Sequence, residues 1–152
     1  MLEVRNLTVS ISRKKIIQEA SFRLEAGRVL SLVGESGSGK TMTAFALLDL
    51  LPRTAVREKG EVIFRNENIF GMAPERIRQI RGNDITMVFQ EPFTALNPVM
   101  RSGEQISETI QAHNKMSSGE VKKKVASLLD MVRLPEDVSR HLGGRARSRF
   151  EL

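Results

Sequence analysis

Eight consecutive residues, Gly34-Glu35-Ser36-Gly37-Ser38-Gly39-Lys40-Thr41, have the types and spacing of a loop that holds phosphate. Glycines at 34, 37 and 39 allow positive φ and a close approach of backbone to an anion. The amide N–H groups from about Gly37 to Thr41 can then point at phosphate oxygens, helped by the N-terminal end of a following helix. Lys40 supplies a mobile cation for β- and γ-phosphates. Thr41 supplies a hydroxyl for Mg2+, a hard ion that prefers oxygen ligands. Glu35, Ser36, Ser38 and, one position further, Met42 complete the candidate contacts to a nucleotide such as ATP. The same eight residues could be a Gly/Ser-rich turn, so the flanking elements decide.

Those elements have the required order. Val29-Leu30-Ser31-Leu32-Val33 is a nearly continuous apolar run, expected as a strand buried on both faces of a parallel sheet, and it leads straight into the loop. From Thr41 to Leu51 apolar residues fall on every side, which predicts a buried helix stopped by Pro52. Upstream, Leu2 and Val4, then Leu7, Val9 and Ile11, alternate with polar residues as a half-buried strand does. Arg13-Lys14-Lys15 reads as a turn. A further strand covers Ala20–Leu24, closed by Ala26-Gly27.

Downstream, Gly60–Phe64 predicts another strand and Asn66-Glu67-Asn68 a turn. Pro74 opens a short helix bearing Ile77 and Ile80, with Gly82 after its end. Ile85-Thr86-Met87-Val88-Phe89 is a second buried-type strand ending at Gln90. A polar residue there can lie over the ligand crevice of an open α/β sheet, or it can simply be a glutamine in a surface loop. Glu91 to Pro98 must be loop. Ser102 with Gln105, and Ser117 with Glu120, read as capping boxes for two helices. The first bears Ile106 and Ile110, the second Val121, Val125, Leu128, Leu129 and Val132. After Leu134-Pro135 the periodicity fades, and His141 to Leu152 is expected to be loose.

With 152 residues there is room for one domain with a core. The absence of Cys excludes a disulfide framework and thiolate metal sites. The formal charge of +6 raises the question of nucleic acid, yet neither Arg13–Lys15 nor Lys122–Lys124 is interleaved with aromatic residues for base stacking. A solvated basic face is the better reading, and no nucleic-acid partner is expected. No apolar run is long enough to cross a bilayer, and Met1-Leu2-Glu3-Val4-Arg5 lacks the pattern of a secretion signal. Work at a membrane would require a partner to hold the chain there.

The phosphate loop behind Val29–Val33, then Met87-Val88-Phe89-Gln90-Glu91-Pro92 and Ala95-Leu96-Asn97-Pro98-Val99, resembles the ATP-binding subunits of ABC transporters. Within that family it is similar to the importer group for oligopeptides, dipeptides, nickel and glutathione. Arg81–Ile85 and Gly103-Glu104-Gln105-Ile106 continue the likeness, which runs from about Leu2 to Pro135. The resemblance implies an α/β fold: the N-terminal portion of a P-loop NTPase, with a mixed β-sheet, an antiparallel β-subdomain and the start of a helical subdomain. Residues 1–135 would be this incomplete nucleotide-binding domain and 136–152 an irregular basic tail. It implies ATP and Mg2+ as cofactors, with Thr41 and Gln90 at the metal. The Gln90–Asn97 loop would meet membrane-embedded permease subunits, and a second ATP-binding subunit would complete the pair. The place of work would be the cytoplasmic side of the inner or plasma membrane, reached through the permease. The adenine-stacking aromatic of the family is expected near Ile11, where this chain offers only an aliphatic contact.

The resemblance fades where the family carries Leu-Ser-Gly-Gly and then an apolar strand ending in Asp-Glu. Here His141-Leu142-Gly143-Gly144-Arg145 looks like a damaged signature with no serine between Leu and Gly. Hydrolysis needs a positioned water and a base, and no catalytic residue is assigned; Glu91, beside Gln90, is not taken as that base. Without further strands, the Val29–Val33 and Ile85–Phe89 runs are expected to leave apolar edges exposed. The readings carried forward are a portion of an importer's ATP-binding subunit, a module that binds without hydrolysing, and a non-functional truncated product.

Overall fold

The computed structural model describes residues 1–89 and 96–143. The chain falls into two units, Met1–Arg81 and Gly82–Leu152. In the first unit, strands β1 (Leu2–Ile11), β2 (Lys14–Leu24), β3 (Ala55–Phe64) and β4 (Glu67–Asn68) form an antiparallel sheet in the order β2-β1-β3-β4. Two-residue turns join two of the pairs. Ser12 and Arg13 have φ of 50° and 66°, and Arg65 and Asn66 have 49° and 69°, the left-handed values that match the twist of a hairpin. Lys14 and Lys15 therefore already belong to β2, and the Arg13–Lys15 turn expected from sequence is shorter than read.

The alternation along β1 changes parity partway, from Leu2 and Val4 to Leu7 and Val9, and all four are buried. A bulge makes that change. The register with β2 shifts between Val4 and Leu7, and Asn6 takes φ of 46°. The Asn6 N–H donates to Ser21 Oγ at 2.8 Å. Opposite, Gly60 on β3 has φ of 99°, and a Cβ there would stand 2.4 Å from Leu7 Cα. Leu7, Val9 and Val62, each 0% exposed, form the centre of this core. β3 starts at Ala55 rather than Gly60. Its first half pairs with β1 and is polar and exposed at Arg57, Glu58 and Lys59, so it carries no alternation to read.

Helix α1 runs Lys40–Leu47, short of the expected Leu51. Asp49 takes φ of 52°, and the N–H groups of Asp49 and Leu50 donate to the carbonyls of Ala46 (3.1 Å) and Phe45 (2.9 Å). The helix thus closes before Pro52 through a left-handed residue. Arg81 adds two bonds from its guanidinium, to Leu48 O at 2.8 Å and Asp49 O at 2.7 Å. Within the helix only Thr43 and Ala46 are buried, so it is less enclosed than its apolar sequence predicts. Helix α2 (Pro74–Ile80) begins at its proline as expected and buries Ile80.

Both runs expected as buried parallel strands differ from that expectation. Residues 29–33 lie in no strand, and Val29 and Val33 are 95% and 93% exposed. In the second unit Ile85 accepts from Gly82 N–H at 2.9 Å, and residues 86–89 lie in no strand, with Val88 89% exposed. A parallel strand is held by hydrogen bonds to flanking strands, and the four-stranded antiparallel sheet includes neither run. Both runs expose apolar side chains, as expected, but not as the edges of strands.

Helices α3 (Ser102–His113) and α4 (Ser118–Met131) build the second unit around Val121, Val125 and Leu129, with Ile106, Ile110, Met116 and Leu134 packed against them. The Ser117–Glu120 capping box forms: Ser117 N–H donates to Glu120 Oε2 at 2.8 Å and Glu120 N–H to Ser117 Oγ at 3.4 Å. The Ser102–Gln105 box does not. Ser102 is the first helical residue, and it is the Arg101 N–H that Glu104 accepts, at 3.2 Å. Residues Glu136–Arg140 form a 3₁₀ turn that buries Val138. Residues 141–143, expected to be loose, are tied down: Ser102 N–H donates to His141 O at 2.9 Å and Gly143 N–H to Met100 O at 2.8 Å. Among the described residues no helix is long and apolar enough to cross a membrane.

Candidate nucleotide site

The loop from Gly34 to Thr41 is shaped by its glycines and by Lys40. Gly37 and Gly39 hold φ of 80° and 89°. Gly34 does not have positive φ, and a Cβ there would stand 2.7 Å from Ser38 Oγ, so the serine side chain would have to turn away. The Ser38 N–H donates to Glu35 O at 3.2 Å, closing a turn. Lys40 reaches back across that turn: Nζ donates to Gly34 O and Glu35 O at 2.7 Å each, and to Ser38 Oγ at 3.2 Å. The ammonium is therefore at the loop's centre, on polar partners that an anionic ligand can replace.

Gly39 is the N-cap of α1, and Thr43 is the first residue whose N–H bonds within this turn, to Gly39 O at 2.8 Å. The N–H groups of Lys40, Thr41 and Met42 lie in the first turn, where the helix has no carbonyl to offer them. Thr43 Oγ1 also donates to Gly39 O, at 3.0 Å, which fixes the carbonyl side of the cap. Gly37, Ser38, Gly39, Lys40, Thr41 and Met42 line a cavity of about 300 Å3 together with Ile16 of β2. That size lies at the lower end of small-ligand clefts. Glycine φ values, an ammonium, a helix start and an exposed Thr41 hydroxyl fit a magnesium-bound polyphosphate.

Ile16 lines the cavity although no motif in the sequence marks it. Ile11, where the family resemblance places the adenine contact, ends β1 in register with Lys14 and Ala55 and does not line this phosphate-loop cavity. Ile16 belongs to no motif. Only the course of β2 past the loop brings it there, so no local sequence signal marks it.

Gln90, the second metal-site residue expected from the family resemblance, lies outside the described residues. So do Glu91 to Ala95 of the expected permease loop, and Gly144 of the signature-like segment. Leu96 and Asn97 are described and belong to the second unit. A larger cavity of about 420 Å3 in that unit is lined by Arg101, which precedes α3, and by residues of α3, α4 and the 3₁₀ turn, among them Ser107, Lys122 and Arg140, and by none of the phosphate-loop residues. Among the described residues no group of three or more His, Asp and Glu could hold a metal ion.

A glycine loop closed by a lysine and followed by a helix defines the P-loop class of nucleotide-binding proteins. Residues 17–149 match the ABC transporter family, and the chain belongs to it. It is 41% identical over 141 residues to the dipeptide transport ATP-binding protein DppD of Lactococcus lactis subsp. cremoris, covering 90% of this chain and 40% of that protein. To the oligopeptide transport ATP-binding protein OppD of Bacillus subtilis it is 36% identical over 140 residues, covering 89% of this chain and 39% of that one. The chain thus spans about 40% of the length of these relatives. The dimeric bacterial ABC transporter cassette MJ0796 shares the fold with a TM-score of 0.76 at 24% identity, over 93% of this chain and 61% of the cassette.

Proposed function

We propose that this chain is the nucleotide-binding portion of the ATP-binding subunit of an importer for peptides, nickel or similar small solutes. The observation that carries the reading is the Lys40 ammonium at the centre of a glycine loop at the start of α1. In it, Gly34, Glu35, Ser36, Gly37, Ser38, Gly39, Lys40, Thr41 and Met42 hold the phosphates of ATP. The Thr41 hydroxyl and the Gln90 side chain serve the Mg2+, which when bound neutralises charge on the phosphate oxygens. The likeness to dipeptide and oligopeptide transport proteins supports the solute class.

The Gln90–Asn97 loop is proposed to meet membrane-embedded permease subunits, with a second ATP-binding subunit completing the pair. This puts the chain at the cytoplasmic side of the membrane, held there by the permease. Turnover by the chain alone is expected to be slight, since no side chain described at the loop is assigned as the base that takes a proton from water. Titration with Mg·ATP tests the reading. Lys40→Ala should weaken binding by about tenfold or more, as loss of a charge-assisted contact does. Equal affinity in both proteins would overturn the assignment.

A further inference from the structure

Residues 97–105 and 139–143 of the second unit run against each other through contacts that belong to no helix. Arg101 forms an isolated antiparallel bridge with Leu142. Ser102 Oγ donates to His141 O at 3.2 Å, beside the main-chain bonds Ser102 to His141 and Gly143 to Met100. Gln105 joins them from α3. The Asn97 N–H donates to Gln105 Oε1 at 2.9 Å, and Gln105 Nε2 donates to Asn97 O at 3.0 Å and to Met100 O at 3.3 Å. A primary amide offers the donor and acceptor of a peptide group, so one side chain here imitates a strand pairing.

Gly143 lies against the same carbonyl. A Cβ on it would stand 2.2 Å from Asn97 O and 3.3 Å from Gln105 Nε2. A glycine at 143 therefore lets the Asn97 carbonyl lie closer than any side chain would allow, and Met100 O accepts from both Gln105 Nε2 and the Gly143 N–H. We infer that Gln105 is a positioning residue whose amide latches the turn at residues 97–100 to Leu142 and Gly143, so that the end of the 90–97 loop and the 141–143 segment move as one body. The use of that motion rests on the proposed function, in which the loop meets the permease. The latch itself does not.

Amide hydrogen exchange on the full chain, without nucleotide, tests the latch. Gln105→Ala should speed exchange of the Gly143 N–H by about tenfold, the effect of losing about one net hydrogen bond, although Gln105 does not bond that group directly. Gly143→Ala should speed the Asn97 N–H reciprocally. Val121, Val125 and Leu129 should keep their protection in both variants. Gln105→Glu, with exchange corrected for intrinsic pH dependence, should retain the latch when protonated and lose it when ionised, because a carboxylate has no donor for the two carbonyls.

The inference fails if Gln105→Ala leaves Gly143 at the wild-type rate, or if the glutamate variant behaves alike in both charge states. Should Gln105→Ala unfold the unit, Gly143→Ala and Gln105→Glu decide. Mg·ATP affinity is measured separately on the wild type. Absence of binding there sinks the phosphate-loop reading alone, whereas normal binding without reciprocal exchange sinks the latch alone.

Discussion

Gly39 and Ile16 stand so close that a Cβ on the glycine would lie 2.5 Å from the isoleucine carbonyl oxygen. The phosphate loop is thus set against the main chain of β2 at the residue that caps α1. Gly39→Ala meets both this clash and a φ of 89°, and should destabilise the first unit by about 2–4 kcal/mol and abolish Mg·ATP binding. Gly37→Ala meets no atom within 4 Å, and only its φ of 80° opposes it, so about 1 kcal/mol is expected. Thermal melts of the two variants compare them; equal losses would mean that the Ile16 contact carries no weight.

Gly60→Ala should damage the sheet at the β1 bulge. The new Cβ would collide with the main chain at Asn6 and Leu7, where the bulge leaves no slack. A loss of about 3 kcal/mol is expected from denaturant unfolding, with the midpoint lowered and the slope unchanged.

Ser117 holds the Glu120 carboxyl below the ordinary carboxylate value, first through the hydroxyl and then through the backbone N–H. A depressed carboxyl contributes stability that is present above the unfolded-state value and is lost as pH falls through the lower folded value. The first turn of α4 should therefore loosen only once pH drops below the ordinary carboxylate range. The amide proton shift of Ser117, followed by NMR, should titrate with that low midpoint in the wild type and stay flat in Glu120→Ala. A midpoint at the ordinary value in the wild type would contradict the capping geometry.

Much of this was legible because the signals were local. The Gly34–Thr41 loop, the Pro74 start of α2 and the Ser117–Glu120 box each lie within a few consecutive residues, and the structure shows all three. What sequence could not supply depended on distant partners. The Asn6 bulge needs Gly60 and Ser21, and Ile16 reaches the loop only through the course of β2. Gln105 reads as a helix cap and instead binds the chain eight residues earlier. The run at residues 29–33 has the composition of an inner strand, but composition states a preference and not the presence of neighbours.

The bare stretch at residues 29–33 has a colloidal consequence. Two valines more than nine-tenths exposed, on backbone outside any sheet, make a site where like chains can stick. Light scattering should show particle size rising with protein concentration, and Val33→Lys should suppress the rise by placing a charge in the stretch. Solubility, more than folding free energy, would then set the working range of the isolated chain.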